Sequence, residues 1–138
     1  MLSYFGDVGP RIWRAQGTVK HVTDQRQALK LLAELTARSI AAPLVRSTAI
    51  QAIRKCPSRD DACELEAIYQ TVKHGDPDVP PLMYGFKYIA DPRLFDAFIS
   101  PAKSLEMGVT ASQAGGAAGS DCDDHSALIA ALCASIGF

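Results

Sequence analysis

The chain has 138 residues, the length of one domain, and its net charge of −1 with dispersed basic residues excludes an extended nucleic-acid-binding stripe. Hydrophobic residues make up 48%, which is ordinary for a globular protein, and no apolar run is long enough to span a membrane. The first residues lack a basic stretch followed by an apolar core, so no signal peptide is expected. We therefore predict a soluble cytoplasmic protein without nucleic-acid or membrane partners.

Residues 1–22 carry glycine and proline breaks and no clear periodicity, so an irregular N-terminal segment is expected before a helical part that covers residues 23–138. Thr23 or Asp24 would cap the first helix, and Pro43 would end it. The residues with helical spacing on its inward face are Ala28, Leu31, Leu32, Leu35 and either Ser39 or Ile40.

Two further helices are predicted before the middle of the chain. The second would run from Val45 to Lys55, with Ala49, Ile50 and Ile53 pointing inward. The third would begin after the cap Ser58 and run over residues 59–72. Its apolar face consists of Leu65, Ile68, Tyr69 and Val72. Three consecutive helices with short breaks predict a helical layer.

The four cysteines lie at positions 56, 63, 122 and 133. The spacing of Cys56 and Cys63 invites a disulfide or a metal site, but it matches no standard zinc signature. Without an export signal, reduced thiols are the default expectation for this pair. Cys133 falls in an apolar stripe and is assigned to packing, and no metal or cofactor is predicted.

The stretch between the third helix and the end of the chain has two loop-like parts. Residues 74–84, rich in proline, glycine and aspartate, predict an extended loop. Residues 86–89 would form a strand or an ordered approach to a turn at Asp91-Pro92, followed by one helical turn within 94–99 and another within 101–107. Residues 108–119, rich in glycine and alanine, predict a long flexible loop before the last helix.

The last helix is predicted to be the centre of the fold and to begin at Cys122, after the candidate N-caps Ser120 and Asp121. Its apolar stripe consists of Leu128, Ile129, Leu132, Cys133 and Ile136. Alanines that permit close packing cover the other side, at Ala127, Ala130, Ala131 and Ala134. Gly137 is a suitable C′ residue to end the helix.

Cys122, in the first turn of the helix, is a candidate nucleophile. Free N–H groups and the helix dipole favour the nucleophilic thiolate, whereas Asp123 and Asp124 disfavour a further negative charge. A reactive Cys122 and an ordinary buried one therefore both remain open.

The other titratable residues nearby have simpler interpretations. A metal site formed by Asp121, Asp123, Asp124 and His125 is disfavoured, because successive helix positions point in different directions. Asp123 and Asp124 more simply stabilise the positive end of the helix. His125 could tune the Cys122 thiol electrostatically, but so close in sequence its geometry as a base would be restricted, and it is expected to be an exposed first-turn residue. His21 and His74 are expected to be solvated.

The run Gly-Ser-Asp-Cys122-Asp-Asp-His, with the helix that follows, resembles the nucleophile segment of transglutaminase-like cysteine proteins. It is most similar to the bacterial and phage-associated branch, written G-x-D-C-D-D-x-x-x-L-x-A-A-L-x-x-x-G. A second block, which runs from Phe86-Lys87-Tyr88 through Asp91-Pro92 to Gly108, resembles the segment upstream of that cysteine. The two blocks cover residues 64–138, and the stretches near 74–84 and 108–119 would be loop insertions.

This resemblance implies that the chain is mainly α, the helical N-terminal part of an α+β papain-like, transglutaminase-like fold. It implies acyl transfer by a Cys-His-Asp triad, with Cys122 as the nucleophile. Since the family places the histidine and the acid on strands after the nucleophile helix, the site would be incomplete at Phe138, and neither a base nor an acid is assigned.

Two functional hypotheses follow. The first is a cysteine hydrolase or acyltransferase that acts on a peptide or protein and is truncated before its His and Asp. The second is a non-catalytic module, of phage or mobile-element origin, that keeps the scaffold for assembly and would be associated with a virion. If truncation uncovers the apolar helix 128–136, a homodimer would be expected to bury it.

Overall fold

The computed structural model describes residues 4–7, 13–15, 17–19, 25–90 and 96–138, and it is mainly helical. The five helices are α1 (Gln25–Ile40), α2 (Pro43–Ala52), α3 (Asp61–His74), α4 (Pro101–Gln113) and α5 (Cys122–Ser135). A 3₁₀ helix covers Pro80–Leu82. No helix within these ranges is both long and apolar enough to cross a membrane. The expectation of a mainly α chain is therefore confirmed for the described residues.

The described strands form three separate two-stranded pairs. The strands are β1 (Tyr4–Asp7), β2 (Trp13–Ala15), β3 (Gly17–Val19), β4 (Lys87–Tyr88), β5 (Asp96–Phe98) and β6 (Gly119–Ser120). The pairs β1–β2 and β3–β5 are antiparallel, and β4–β6 is parallel. Strands β1 to β3 lie in the segment for which the sequence predicts irregular structure, and β5 replaces the helical turn predicted within 94–99. Pairing between β3 and the distant β5 leaves no signal in a local window.

Helix α1 ends at Ile40, and Pro43 begins α2 instead of ending α1. Proline is suited to the first helical position because the missing N–H has no intrahelical partner there. Helix α2 ends earlier than predicted, and Ile50 on it is 48% exposed, so the assignment of Ile50 to the inward face is wrong. The predicted caps Thr23 and Asp24 lie outside the described residues.

Helix α3 begins two residues later than predicted, with Asp60 rather than Ser58 as its N-cap. The Asp60 side chain accepts a hydrogen bond from the backbone N–H of Cys63 at 3.0 Å. Only part of the predicted apolar face is covered: Ile68 and Val72 are buried, whereas Leu65 and Tyr69 are 42% and 43% exposed.

Cys56 and Cys63 form a disulfide, which corrects the expectation of reduced thiols. Cys56 follows the end of α2, and Cys63 lies in the first turn of α3, so the reversal between the two helices brings their Cα atoms to 5.8 Å. That separation lies within the range that a disulfide requires. Spacing in the sequence alone did not show that the chain reverses here.

Residues 74–84 form an ordered connection rather than a purely extended loop. Arg54 donates hydrogen bonds to Asp76 at 2.8 Å and to Asp78 at 3.0 Å, and this ties the connection to the end of α2. The hydrogen bonds from Arg54 hold the pKa of Asp76 below its usual value. Val79 and Leu82 are buried in the core, so this segment contributes to packing.

Helix α4 runs through the first half of the predicted flexible loop 108–119, which corrects that prediction. Ser100 caps the helix by accepting the backbone N–H of Lys103 at 3.1 Å. Gly108 lies inside the helix, where a Cβ atom would meet the carbonyl group of Pro81, so the absence of a side chain permits this close contact. The helix ends at Gln113, and Gly115, which follows the C-cap residue Ala114, has φ +77°. The composition of this stretch indicated a loop, but its packing against the 3₁₀ helix outweighs the low helix propensity of glycine.

Helix α5 packs against each of the other four helices, as expected for a central helix. The side chains buried along it are Asp124, Ala127, Leu128, Ala131, Leu132 and Ser135. Ile129, Cys133 and Ile136 are only partly buried, so the buried face is rotated from the predicted stripe. Since Leu128 and Leu132 are covered within one chain, the premise for a homodimer, an uncovered α5, does not hold.

The C-terminal end of α5 has the predicted cap. Gly137 has φ +109°, its N–H donates to the Ala134 carbonyl at 3.1 Å, and the N–H of Phe138 donates to the Cys133 carbonyl at 3.2 Å. These two bonds define a Schellman motif, which satisfies carbonyl groups that the helix leaves without partners. The prediction of Gly137 as the C′ residue is confirmed.

We expect reduction of the Cys56–Cys63 disulfide to lower the free energy of unfolding by about 2–3 kcal/mol, since it releases a short closed loop in the unfolded state. Urea denaturation with and without a thiol reductant measures this difference. In the double variant Cys56→Ser, Cys63→Ser, the reductant should have no effect. An equal response of both proteins would contradict the prediction.

Replacement of Gly108 by alanine is expected to destabilise the fold by about 1–3 kcal/mol, because the new Cβ would collide with the carbonyl group of Pro81. In an ordinary helix the same change stabilises by about 1 kcal/mol. Gly116→Ala is the matched control, because a Cβ there meets its nearest neighbour at 3.8 Å. Thermal unfolding of both variants decides the sign. Stabilisation by Gly108→Ala would contradict the close contact.

Candidate functional site

The segment that presents Cys122 is a short strand followed directly by a helix. Gly119 and Ser120 form the buried strand β6, and Asp121 is the N-cap of α5 in an extended conformation (φ −81°, ψ −176°). The Asp121 side chain accepts the backbone N–H of Asp124 at 3.3 Å. Cys122 is therefore the first residue of the helix, as predicted, and its side chain is exposed.

The parallel pair β4–β6 holds this segment in place. The N–H of Lys87 donates to the Ala118 carbonyl at 2.9 Å, and the N–H of Ile89 donates to the Ser120 carbonyl at 2.7 Å. A Cβ atom on Gly119 would collide with the carbonyl group of Lys87 and crowd the Ile89 side chain. Only glycine fits here, because the two backbones approach closely at the point where the chain enters α5.

Asp124 is fully buried and forms a hydrogen-bond network beneath the start of α5. Its carboxylate accepts the backbone N–H of Ile99 at 3.0 Å and the hydroxyl of Ser120. A buried carboxylate is tolerated only with such partners. The sequence predicted that Asp124 serves the helix terminus, and its role as a link between two segments was missed because Ile99 is 25 residues away in sequence.

His125 is partly buried and is held by two contacts, so the prediction of an exposed first-turn residue is incomplete. Its Nε2 lies 3.0 Å from the backbone carbonyl oxygen of Lys87, and its ring centroid lies 4.7 Å from that of Phe86. Because a carbonyl oxygen can only accept, Nε2 carries the hydrogen and Nδ1 is the basic nitrogen of the neutral ring.

The chain has two free thiols, and they differ in environment. Cys133 is partly buried in α5, and this burial raises the pKa of its thiol. Cys122 is exposed at the helix start. Since the thiolate is the reactive species, Cys122 is the better candidate nucleophile, and Cys133 provides an internal reference.

The structure brings some of the candidate residues together and leaves others apart. Cys122, Asp123 and His125 share the first turn of α5, whereas His74 is exposed at the last residue of α3. His21 and the predicted turn at Asp91-Pro92 lie outside the described residues. Within the described ranges, no group of three or more His, Cys, Asp or Glu side chains is arranged to hold a metal ion.

Comparisons with protein-family models, curated proteins and solved structures find no match to this chain. The resemblance to transglutaminase-like proteins therefore rests on the residues themselves.

Asp124→Ala is expected to lower the free energy of unfolding by about 2–4 kcal/mol, because it leaves the Ile99 N–H and the Ser120 hydroxyl buried without their acceptor. Asp61→Ala is the matched control: Asp61 also lies in the first turn of a helix, but it is exposed, and its loss should cost less than about 1 kcal/mol. Urea denaturation measures both. Equal losses would show that Asp124 acts only through the helix dipole.

Proposed function

We propose that the chain is a transglutaminase-like cysteine acyltransferase or hydrolase domain in which the Cys122 thiolate is the nucleophile. The observation that carries the proposal is the exposed thiol at the first position of a central helix whose start is fixed by the buried Asp124. In this proposal the described helices are the helical part of a papain-like α+β fold, with Cys122 at the start of the central helix.

The proposed reaction is acyl transfer from an amide. The Cys122 thiolate attacks the carbonyl carbon, the carbon–nitrogen bond breaks, and the leaving amine takes up a proton. The resulting thioester is then cleaved by water or by a second amine. Backbone N–H groups at a helix start are suited to stabilise the negative oxygen that develops during the attack.

The position of Cys122 favours a peptide or protein substrate. Its side chain is exposed on the surface rather than enclosed, so an amide on an extended peptide or on a protein side chain can approach it. The reaction needs no cofactor, because the thiol itself forms the covalent intermediate.

A second candidate is the non-catalytic assembly module, and one observation favours it. Asp121, Asp123 and Asp124 surround the thiol in sequence, and their negative charge opposes formation of a thiolate. Under this alternative, Cys122 would react no faster than an ordinary exposed cysteine.

The disulfide bears on the compartment in which this function would operate. Disulfides persist mainly in oxidising environments and are rare in the cytosol. The Cys56–Cys63 bond therefore supports a location such as the surface of a released virion over the cytoplasm.

Exposure of the folded protein to p-nitrophenyl acetate is expected to transfer the acetyl group to Cys122 and to release p-nitrophenolate. Mass spectrometry of the intact chain and its peptides locates the acetyl group, and absorbance follows the release. We expect Cys122 to acetylate at least about tenfold faster in the folded protein than in urea, because only the folded chain holds the backbone N–H groups of the helix start where they can stabilise the negative oxygen that develops on the attacked ester.

The variant Cys122→Ser should lose this fast acetylation, whereas the variant Cys133→Ser should retain it. An acetylation rate of Cys122 that is the same in the folded and unfolded protein would contradict the enzyme proposal and support the assembly module.

A further inference from the structure

We propose that the outer edge of strand β4 at Tyr88 is a docking site for an extended peptide segment, which pairs with it through main-chain hydrogen bonds and leads to Cys122. This inference rests on the proposed function, because it names the chemistry that would hold the substrate of that site. The docking itself can be measured without any acyl transfer.

The hydrogen bonds of β4 show which of its backbone groups are in use. The N–H of Lys87 donates to the Ala118 carbonyl. The N–H of Ile89 donates to the Ser120 carbonyl, so both of these N–H groups face β6. Because backbone groups alternate in direction along a strand, the N–H and the carbonyl of Tyr88 point away from β6. Neither group has a hydrogen-bond partner among the residues that the structure describes.

The free part of this edge is short and begins at Tyr88. On the same side of the strand, the N–H of Phe86 donates to the Val72 carbonyl at 2.7 Å, so the end of α3 closes the edge there. A stable interface between two proteins buries about 1,200–2,000 Å², which is more than pairing at one free residue supplies. The occupant that fits is therefore a single extended peptide rather than a second copy of the chain.

An extended peptide complements both the backbone and the side chain of Tyr88. The alternating N–H and carbonyl groups of a peptide match a free donor and a free acceptor on a sheet edge, and peptides add to such edges as a further strand. The side chain of Tyr88 is 66% exposed, so its ring offers apolar surface beside the free backbone groups. Since the pairing uses main-chain groups, the site selects an extended conformation rather than one peptide sequence.

The register of β4 and β6 limits the distance between this edge and the thiol. Tyr88 is the partner of Ser120, and paired strands lie about 4.8 Å apart. Cys122 follows Ser120 by two residues, which span at most about 7 Å. The Cα atoms of Tyr88 and Cys122 are therefore separated by at most about 12 Å. One further strand spacing raises the limit for a docked peptide to about 17 Å, which about five extended residues can span.

The test uses a pentapeptide of alternating threonine and valine that carries an N-terminal iodoacetyl group. Mass spectrometry compares the labelling of Cys122 by this probe and by iodoacetamide, which has the same reactive group without the peptide. We expect the probe to react about tenfold faster at equal low concentration, because docking holds its reactive group near the thiol at a millimolar local concentration. Cys133 should show no such advantage, and neither should Cys122 in urea. A probe that reacts no faster than iodoacetamide would overturn the proposal.

A second probe, with every amide nitrogen methylated, tests whether the peptide docks through its main chain. This probe keeps the apolar surface of the first, but it has no N–H group to donate to the Tyr88 carbonyl. We expect it to lose the rate advantage. If both probes label Cys122 equally fast, apolar adsorption explains the rate and the proposal is wrong.

Two substitutions at Tyr88 separate its backbone from its ring. Tyr88→Pro removes the outward N–H but neither of the N–H groups that pair with β6, and proline is tolerated at such edge positions. Tyr88→Ala keeps this N–H and removes the ring. We expect Tyr88→Pro to lose the advantage of the first probe and Tyr88→Ala to retain part of it. Equal rates in the two variants would contradict main-chain pairing.

Tyr84→Ala is the matched control, because Tyr84 is also exposed but lies outside β4, and it should retain the full advantage. Thermal unfolding shows whether Tyr88→Pro keeps the fold, and the methylated probe tests the unchanged protein in either case. Sedimentation that finds a dimer of the unchanged protein and a monomer of Tyr88→Pro would assign the edge to a second copy and overturn the proposal.

The outcomes for the two proposals are distinguishable. If Cys122 acetylates rapidly but the peptide probe has no advantage over iodoacetamide, the enzyme proposal stands and the docking site is wrong. If the probe has the advantage but no acetyl group is transferred, the chain binds extended peptides beside Cys122 without acyl transfer.

Discussion

The carboxyl group of Asp124 provides the interaction on which the candidate site depends, because it joins three segments at one buried side chain. It accepts the N–H of Ile99, just before α4, and the hydroxyl of Ser120 in β6, while it belongs to the first turn of α5. Removing a carboxylate from water is costly, and only complete hydrogen bonding offsets that cost. The start of α4, strand β6 and the start of α5 must therefore form together, and the position of Cys122 follows from their assembly.

The backbone of Lys87 connects this scaffold to the side chains of the site. Its N–H pairs with Ala118, and its carbonyl group both excludes a side chain at Gly119 and accepts Nε2 of His125. The same close approach of β4 and β6 thus fixes where α5 begins and how the His125 ring is oriented. A substitution at Gly119 would disturb both, since the collision it introduces lies at the carbonyl group that holds the ring.

The features that could be predicted from the sequence are those set by neighbouring residues. The Asp121 cap, the helix start at Cys122 and the end at Gly137 follow from local hydrogen bonding and backbone preference. What was missed depends on residues distant in the chain: the β3–β5 pair, the Ile99–Asp124 hydrogen bond and the packing of Gly108 on Pro81. Glycine and alanine in residues 108–119 resembled a loop because composition does not reveal a partner that permits a helix. The chemical role of Cys122 stays a prediction.

The electrostatics of the helix start do not by themselves decide whether Cys122 is a nucleophile. The helix dipole favours a thiolate by roughly 0.3–1 kcal/mol at an exposed position, and one nearby carboxylate can oppose it by a similar amount. With Asp121, Asp123 and Asp124 in one turn, these contributions leave no clear excess in favour of the thiolate. In the proposed reaction, the advantage of Cys122 would therefore come from its position, because the backbone N–H groups at the helix start are suited to stabilise the negative oxygen of an attacked carbonyl.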